Sequence, residues 1–423
     1  MKKLAINGGE KSITKEFLKY NSIGEEELLA VSGVMKSGVL SDFVGEFGPG
    51  FLGGTKVNEF ERLCENFFNV KHAITVNSWT SGLIAAVGAI GIEPGDEIIT
   101  TPWTMCATAT AILHWNALPV FADIDPHSFC ISPESIERNI TNKTKAIIGV
   151  DLFGMPCDYD AIDHLAKKYN LKVIYDSAQA PNAKYGSDFA GTRGDIGGIS
   201  LNFHKHIHTG EGGVLFTNND EYAQNLRLIR NHAEAVVGSI PNQNLVNMIG
   251  YNFRLGEIES AIGIEQLKKL KSKTDSRRRI ASILSKELGQ LNGLNVPNVD
   301  SNIEHVYYVY AMTLDSSLTN VSKARIIEAL NAEGVPGIGS TYGNIHLLPI
   351  FQKKVAYGSN GFPWSTFDRR NISYTRGICP VAEHIADETY FDFAICSYDL
   401  PDEDVKLVIS AFKKVWANLN ELK

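Results

Sequence analysis

The sequence predicts an α/β fold: a mostly parallel seven-stranded sheet sandwiched by helices, followed by a smaller C-terminal α+β domain. Three observations carry this. Seven short apolar runs stand between residues 73 and 217. Helical spacing fills several of the gaps between them, and strands that alternate with helices pair in parallel with both faces covered. A long helical stretch from Leu255 to Leu291 then leads into a different rhythm. At 423 residues two domains are the default. We expect a large domain with an N-terminal helix over 1–265 and a small one over 266–423.

Taken in order, Met1–Asn7 has two lysines but too few apolar residues for a secretory segment. Residues 24–37 have helical spacing and stop at Gly38. Residues 41–54 are rich in Gly and Phe and read as a long loop. Within it, Gly48-Pro49-Gly50-Phe51-Leu52-Gly53 matches the dinucleotide fingerprint by letter only, because Asp42–Phe47 is not an apolar strand. Lys56–Val70 puts Val57, Phe60, Leu63, Phe67 and Val70 on one helical face. Strands are expected at 73–76, 97–100, 119–122, 146–150, 172–175, 196–200 and 213–217, the last free to run antiparallel. Helices are expected at 81–90, 107–115, 132–139 and 159–169. Beyond the long helix, His305–Leu314 reads as a strand, and Lys323–Glu333 and Asp402–Asn418 read as helices.

Composition narrows the function. The chain is 44% hydrophobic and 21% charged with a net charge of −8, and it has no basic block. A nucleic-acid partner is therefore not expected. No apolar run approaches membrane-helix length, so no membrane is expected. Six cysteines without a Cys-x-x-Cys pair read as reduced, cytoplasmic thiols.

The residues that carry chemistry centre on 200–213, Ser-Leu-Asn-Phe-His-Lys-His-Ile-His-Thr-Gly-Glu-Gly-Gly. A lysine amine forms a Schiff base with a carbonyl cofactor when it is neutral, and partial burial lowers its pKa. Alone, Lys205 also reads as a surface lysine before a turn. In Ile174-Tyr175-Asp176-Ser177-Ala178-Gln179, Asp176 follows an apolar strand, at the carboxyl end where α/β sheets bind ligands. There it can hold a pyridine nitrogen protonated, or cap a helix. Asn77-Ser78-Trp79-Thr80-Ser81-Gly82 opens a helix after a strand, which suits a phosphate on Thr80 and Ser81, or a simple cap. Trp103, at a strand end, either stacks on a flat ring or belongs to the core. His204, His206 and His208 raise a zinc alternative, but no further ligand pair supports it and no metal is expected.

Several of these segments, in one order, resemble the DegT/DnrJ/EryC1/StrS family of sugar aminotransferases. Ser200, Lys205 and Thr209-Gly210-Glu211-Gly212-Gly213 resemble its lysine segment, and Asp176-Ser177-Ala178-Gln179 its Asp-x-Ala-Gln motif. Asn77–Leu83 is similar to its Ser-Gly-Thr-Ser-Ala-Leu, with Trp79 for glycine and Gly82 for alanine. Gly250-Tyr251-Asn252-Phe253-Arg254 is similar to its Gly-Tyr-Asn-x-Arg. Tyr342–Pro349 and Pro380–Glu383 extend the likeness to the second domain.

The resemblance implies the type I fold of pyridoxal 5'-phosphate enzymes and that cofactor. Lys205 would then be the Schiff-base lysine and base, and Asp176 the partner of the pyridine nitrogen. Gln179 and Trp103 would lie at the ring, with Thr80, Ser81 and Ser200 on the phosphate. Asn252 would reach the phosphate of a second subunit, in a homodimer with shared sites. Candidate substrate contacts are Trp79, His204, His206, His208 and His346. The implied reaction moves an amino group from glutamate or glutamine to a keto sugar, for lipopolysaccharide, capsule or antibiotic sugars. A nucleotide-linked keto hexose is the first expectation. A sugar phosphate or an 8-oxo-octulosonate stands as the alternative. A nicotinamide oxidoreductase and a non-catalytic sensor are the competing classes.

Overall fold

The computed structural model of the protein describes residues 3–240, 247–340, 342–368 and 370–423. Each of the seven apolar runs forms a strand: β1 (His72–Val76), β2 (Glu97–Thr100), β3 (Leu118–Phe121), β4 (Thr144–Val150), β5 (Lys172–Asp176), β6 (Ile196–Ser200) and β7 (Gly213–Thr217). They build one sheet in the order β1-β7-β6-β5-β4-β2-β3. The pairs β2–β3, β2–β4, β4–β5 and β5–β6 are parallel. Only β7 runs against its neighbours β1 and β6.

Alternate residues explain why these strands are apolar throughout. Side chains along a strand point to opposite faces, and here both faces are covered. Ile98, Ile148, Ile174 and Leu215 pack on one side with α3 (Trp79–Ala89), α4 (Ala107–His114) and α7 (Asp220–Arg230). Ile99, Ile147 and Val173 pack on the other with α5 (Pro133–Asn139) and α6 (Tyr159–Tyr169). Further along that face, Ile199, Val214 and Phe216 meet α2 (Thr55–Phe68) and α8 (Glu257–Leu288).

α1 (Glu25–Ser37) packs on α8. α8 runs unbroken through residue 265, where the expected domain boundary falls. Beyond it, β8 (Leu294–Asn295), β9 (Tyr310–Leu314), β10 (Ile338–Gly339) and β11 (Tyr390–Phe393) form an antiparallel sheet in the order β8-β9-β11-β10, backed by α9 (Lys323–Ala332) and α10 (Asp402–Ala417). The strand expected from His305 starts only at Tyr310, because Tyr307 adopts a left-handed φ of 53° that interrupts an extended run. The first residues join this second layer. Leu4, Ile13 and Phe17 are buried among its apolar side chains. The buried Glu333 carboxylate accepts hydrogen bonds from Ala5 N, Ser12 N and Ser12 Oγ, and pairs with Lys414.

The segment 48–53 is a 3₁₀ turn over Pro49–Leu52 in a loop, with no strand before it. The dinucleotide geometry is thus absent there, as its flanks suggested. The loop is tied at its base. Asn231 Nδ2 donates to the carbonyls of Val44 and Phe51, and the Arg230 guanidinium lies 4.9 Å from the Phe43 ring centre. Among the described residues, no helix is long and apolar enough to cross a membrane.

Candidate active site

The parallel strands end on one side of the sheet, and a cavity opens there. Val150, Asp176 and Ser200, the last residues of β4, β5 and β6, all line it. Lys205 enters from the loop after β6, Thr80 from the first turn of α3, and Tyr308 and Tyr342 from the C-terminal part of the chain.

Lys205 is 7% exposed and its Nζ lies 4.5 Å from the centre of the Tyr308 ring. Burial pulls the amine down to about 8, while Asp176 pulls it up by a smaller amount. At that value roughly a tenth of it is neutral at pH 7, against a few parts in ten thousand for an ordinary lysine. The amine can therefore attack a carbonyl or accept a proton.

Asp176 is 4% exposed. Its Oδ1 accepts from Trp79 Nε1 at 2.6 Å and from Ala178 N at 3.2 Å, and its Oδ2 accepts from Thr108 Oγ1 at 2.8 Å. Burial raises its pKa; the Thr108 and Trp79 hydrogen bonds and the Lys205 charge oppose that. Gln179 lines the same wall, with Oε1 on Phe153 N at 2.8 Å and Nε2 donating to the Tyr342 hydroxyl.

At the start of α3, Ser78 is the N-cap and accepts from Ser81 N at 3.1 Å. Thr80 is exposed in the cavity. Ser200 is 5% exposed, and its Oγ accepts from Asn202 N. A helix N-terminus with two hydroxyls is an anion site. A buried amine, a buried carboxylate and this anion site in one cavity fit the aldehyde, pyridine and phosphate of pyridoxal 5'-phosphate.

Several expected positions lie elsewhere. Trp103 does not face the cavity. It is fully buried, stacked at 5.8 Å on Phe129 and edge-on to Phe153 and Tyr390, while the next residues, Thr104 and Met105, line the cavity. The apolar area of an indole is better buried among three aromatic rings than left at a cavity wall. Ser81 spends its hydroxyl on Asn77 Oδ1 at 2.7 Å and lies behind the cradle, where Ser78 stands instead.

Of the three clustered histidines, only His204 lines the cavity. His206 is buried with Nε2 2.9 Å from the Val306 carbonyl, and the His208 backbone donates to Gln266, so the three do not converge on a substrate or a metal. His346 is buried against Glu383 at 3.0 Å, outside the cavity. Trp79 does reach the cavity wall, but its polar edge is turned to Asp176.

Asn252 is exposed and outside the cavity. Its carbonyl accepts from Asn77 Nδ2, and its Oδ1 accepts from Arg254 Nε at 2.7 Å. Phe253 O accepts from Asn77 N at 2.8 Å. The segment thus lies beside the turn that leads into α3 of its own chain.

The sequence reading did not name Thr108, Tyr308 or Tyr342 as lining residues. Thr108 falls within the helix expected at 107–115, but only the fold brings it to Asp176. Tyr308 stands 34 positions before the nearest resembling segment, Tyr342–Pro349 (342 − 308), and carries no local signal.

The family model described as the DegT/DnrJ/EryC1/StrS aminotransferase family matches residues 22–390. GDP-perosamine synthase of Caulobacter vibrioides is 35% identical over 300 residues, covering 70% of this chain and 79% of that protein. An L-glutamine:2-deoxy-scyllo-inosose aminotransferase of Streptomyces lividus is 30% identical over 337 residues, covering 78% of each. Among solved structures, an aminotransferase from Psychrobacter cryohalolentis superposes with a TM-score of 0.79 at 28% identity, covering 96% of this chain and all of that one.

Proposed function

This chain belongs to the DegT/DnrJ/EryC1/StrS aminotransferase family, and on that premise we propose that it moves an amino group from glutamate or glutamine to a keto sugar, first of all a nucleotide-linked keto hexose. It is an enzyme, and its cofactor is pyridoxal 5'-phosphate, as in the family. When bound, the cofactor supplies an aldehyde that condenses with amines and a ring that takes up an electron pair.

The single observation that carries the reading is the meeting of Lys205, Asp176 and the α3 N-terminus in one cavity. In it, Lys205 Nζ binds the cofactor and then takes and returns the proton that transamination moves. Asp176 holds the ring nitrogen protonated. Thr80, Ser78 and Ser200 hold the phosphate, and Gln179 orients the ring from the side. His204, at the mouth, contacts the acceptor.

A nucleotide-linked acceptor is supported by the likeness to a GDP-perosamine synthase, and a nucleotide-free one by the likeness to an inosose aminotransferase, whose name also gives glutamine as donor. The reading extends to a homodimer in the cytoplasm. Leu28 and Leu29 of α1, Phe47 of the loop and Ile249 near Asn252 are exposed apolar side chains that a second copy would cover. All six cysteines are free and five are buried. Asn252, exposed beside Asn77, is offered to that second copy's phosphate.

The test is a two-stage assay of the purified protein. A visible band that borohydride removes, and that changes on adding glutamate or glutamine, is expected. The amino-loaded protein is then offered keto sugars with and without nucleotide. A band that no amino donor changes overturns the aminotransferase reading of this site.

A further inference from the structure

Trp79 is built into this site in a way its neighbours explain. A β-carbon on Gly82 would come within 2.9 Å of its ring, and one on Gly198 within 2.5 Å of the ring and 2.1 Å of the Val214 carbonyl oxygen. Side chains at either place would drive the ring off its seat, so the two glycines and the tryptophan form one unit. What the seat achieves is set by the indole N–H. Trp115 and Trp416 donate theirs to main-chain carbonyls of Ile84 and Asn292. Trp79 instead donates to Oδ1 of Asp176, at 2.6 Å.

The second oxygen is served from the other side. Thr108 Oγ1 lies 2.8 Å from both Asp176 Oδ2 and Thr104 Oγ1. A hydroxyl has one proton, so Thr108 gives its own to the carboxylate and accepts from Thr104. Oδ1 then holds two donors, Trp79 and Ala178, and is filled. Oδ2 holds one and keeps one lone pair. No cation lies within hydrogen-bonding distance of Asp176 among the described residues, so a buried carboxylate depends on these donors to stay ionised.

We propose that Trp79 and Thr108 are positioning residues for the cofactor: they hold Asp176 ionised and turned so that Oδ2 receives the pyridine N–H. This rests on the pyridoxal phosphate reading of the cavity and adds residues that reading did not need.

The experiment uses the full chain and pyridoxal 5'-phosphate labelled with ¹⁵N in the ring. The dissociation constant is measured by equilibrium dialysis, and ring protonation by the pyridine ¹⁵N resonance. Trp79→Phe keeps an aromatic ring and removes the donor. Affinity should fall about tenfold, the scale of one hydrogen bond to a charged group. The resonance should move toward that of unprotonated pyridine. Thr108→Val should do the same and Thr108→Ser should restore both values, which a role in packing alone does not predict. If Trp79→Phe does not fold, the Thr108 pair decides.

A parent protein that binds the cofactor, with both substitutions leaving constant and resonance unmoved, overturns the proposal alone. A parent that takes up no cofactor overturns the reading of the cavity, and the proposal with it.

Discussion

Asp176 and Lys205 are nearly equally buried in one cavity, yet the chain treats them differently. Asp176 receives three hydrogen bonds, from Trp79, Thr108 and Ala178. Lys205 has no hydrogen-bonded anion among the described residues, and its amine lies against the face of Tyr308. Burial disfavours the charged form of both. At the acid end the donors oppose that effect; at the base end almost nothing does. An anchor for a ring nitrogen has to be an anion at working pH. A base and nucleophile has to be partly neutral. On the proposed roles, desolvation is partly offset at Asp176, where it would harm function, and largely left in place at Lys205, where it would serve it.

Removing the base end is the strongest way to break this contrast. Lys205→Ala should abolish turnover while leaving the far-ultraviolet circular dichroism unchanged, and full activity would end the assignment. Asp176→Asn keeps the volume and removes the charge. Turnover should fall at least about a thousandfold, or roughly 4 kcal/mol of barrier, in steady-state assays with saturating cofactor. A loss below about tenfold would mean that another group supports the ring.

The cost of burying Lys205 is itself measurable in the cofactor-free protein. The folded amine titrates at about 8 and the unfolded one at 10.5. Between those values the unfolded state binds more protons, so stability rises with pH there. Below about 8 both states are charged and the penalty is fully present, worth roughly 3 kcal/mol at 1.36 kcal/mol per pKa unit. Lys205→Met should therefore be more stable than the parent in urea at pH 7, and the gap should shrink by pH 10. An equal gap at both pH values would show that folding does not lower the pKa of the amine.

A smaller effect tests the anion end. Ser200→Ala should weaken cofactor binding by about tenfold, near 1.4 kcal/mol, as read by dialysis, with little change in ring protonation. The smallest tests the corrected tryptophan. Trp103→Phe should leave cofactor affinity within twofold and lower stability by about 1 kcal/mol. A large change in affinity would return Trp103 to the ring.

The sheet was legible because both of its faces are buried, which makes every strand a dense apolar run, and because helix caps and glycines punctuate the gaps. Lys205, Asp176 and Ser200 were legible because each sits at or just after the end of such a run, where local sequence fixes position. Trp103 was not: three residues past the end of β2, a turn decides which side chain faces the cavity, and Thr104 and Met105 took that side. His206 and His346 failed for a related reason, since burial against Val306 and Glu383 is a property of contacts 100 and 37 positions away. Asn252 lies beside Asn77, 175 positions away, which nothing in the local sequence of either segment foretells. Residue separation is a poor guide once β1 and β7 are neighbours.

The seating of Leu4, Ile13 and Phe17 beside α9 and α10 has a consequence for synthesis. Ile13 N bonds the carbonyl of Glu333, 320 positions later (333 − 13). At about 5–20 residues per second on the ribosome, the opening segment waits roughly 16–64 s for its partner to emerge. For that interval three large apolar side chains of this segment have nowhere native to go. They stay uncovered until α9 and α10 follow, so this contact is among the last that the fold can close.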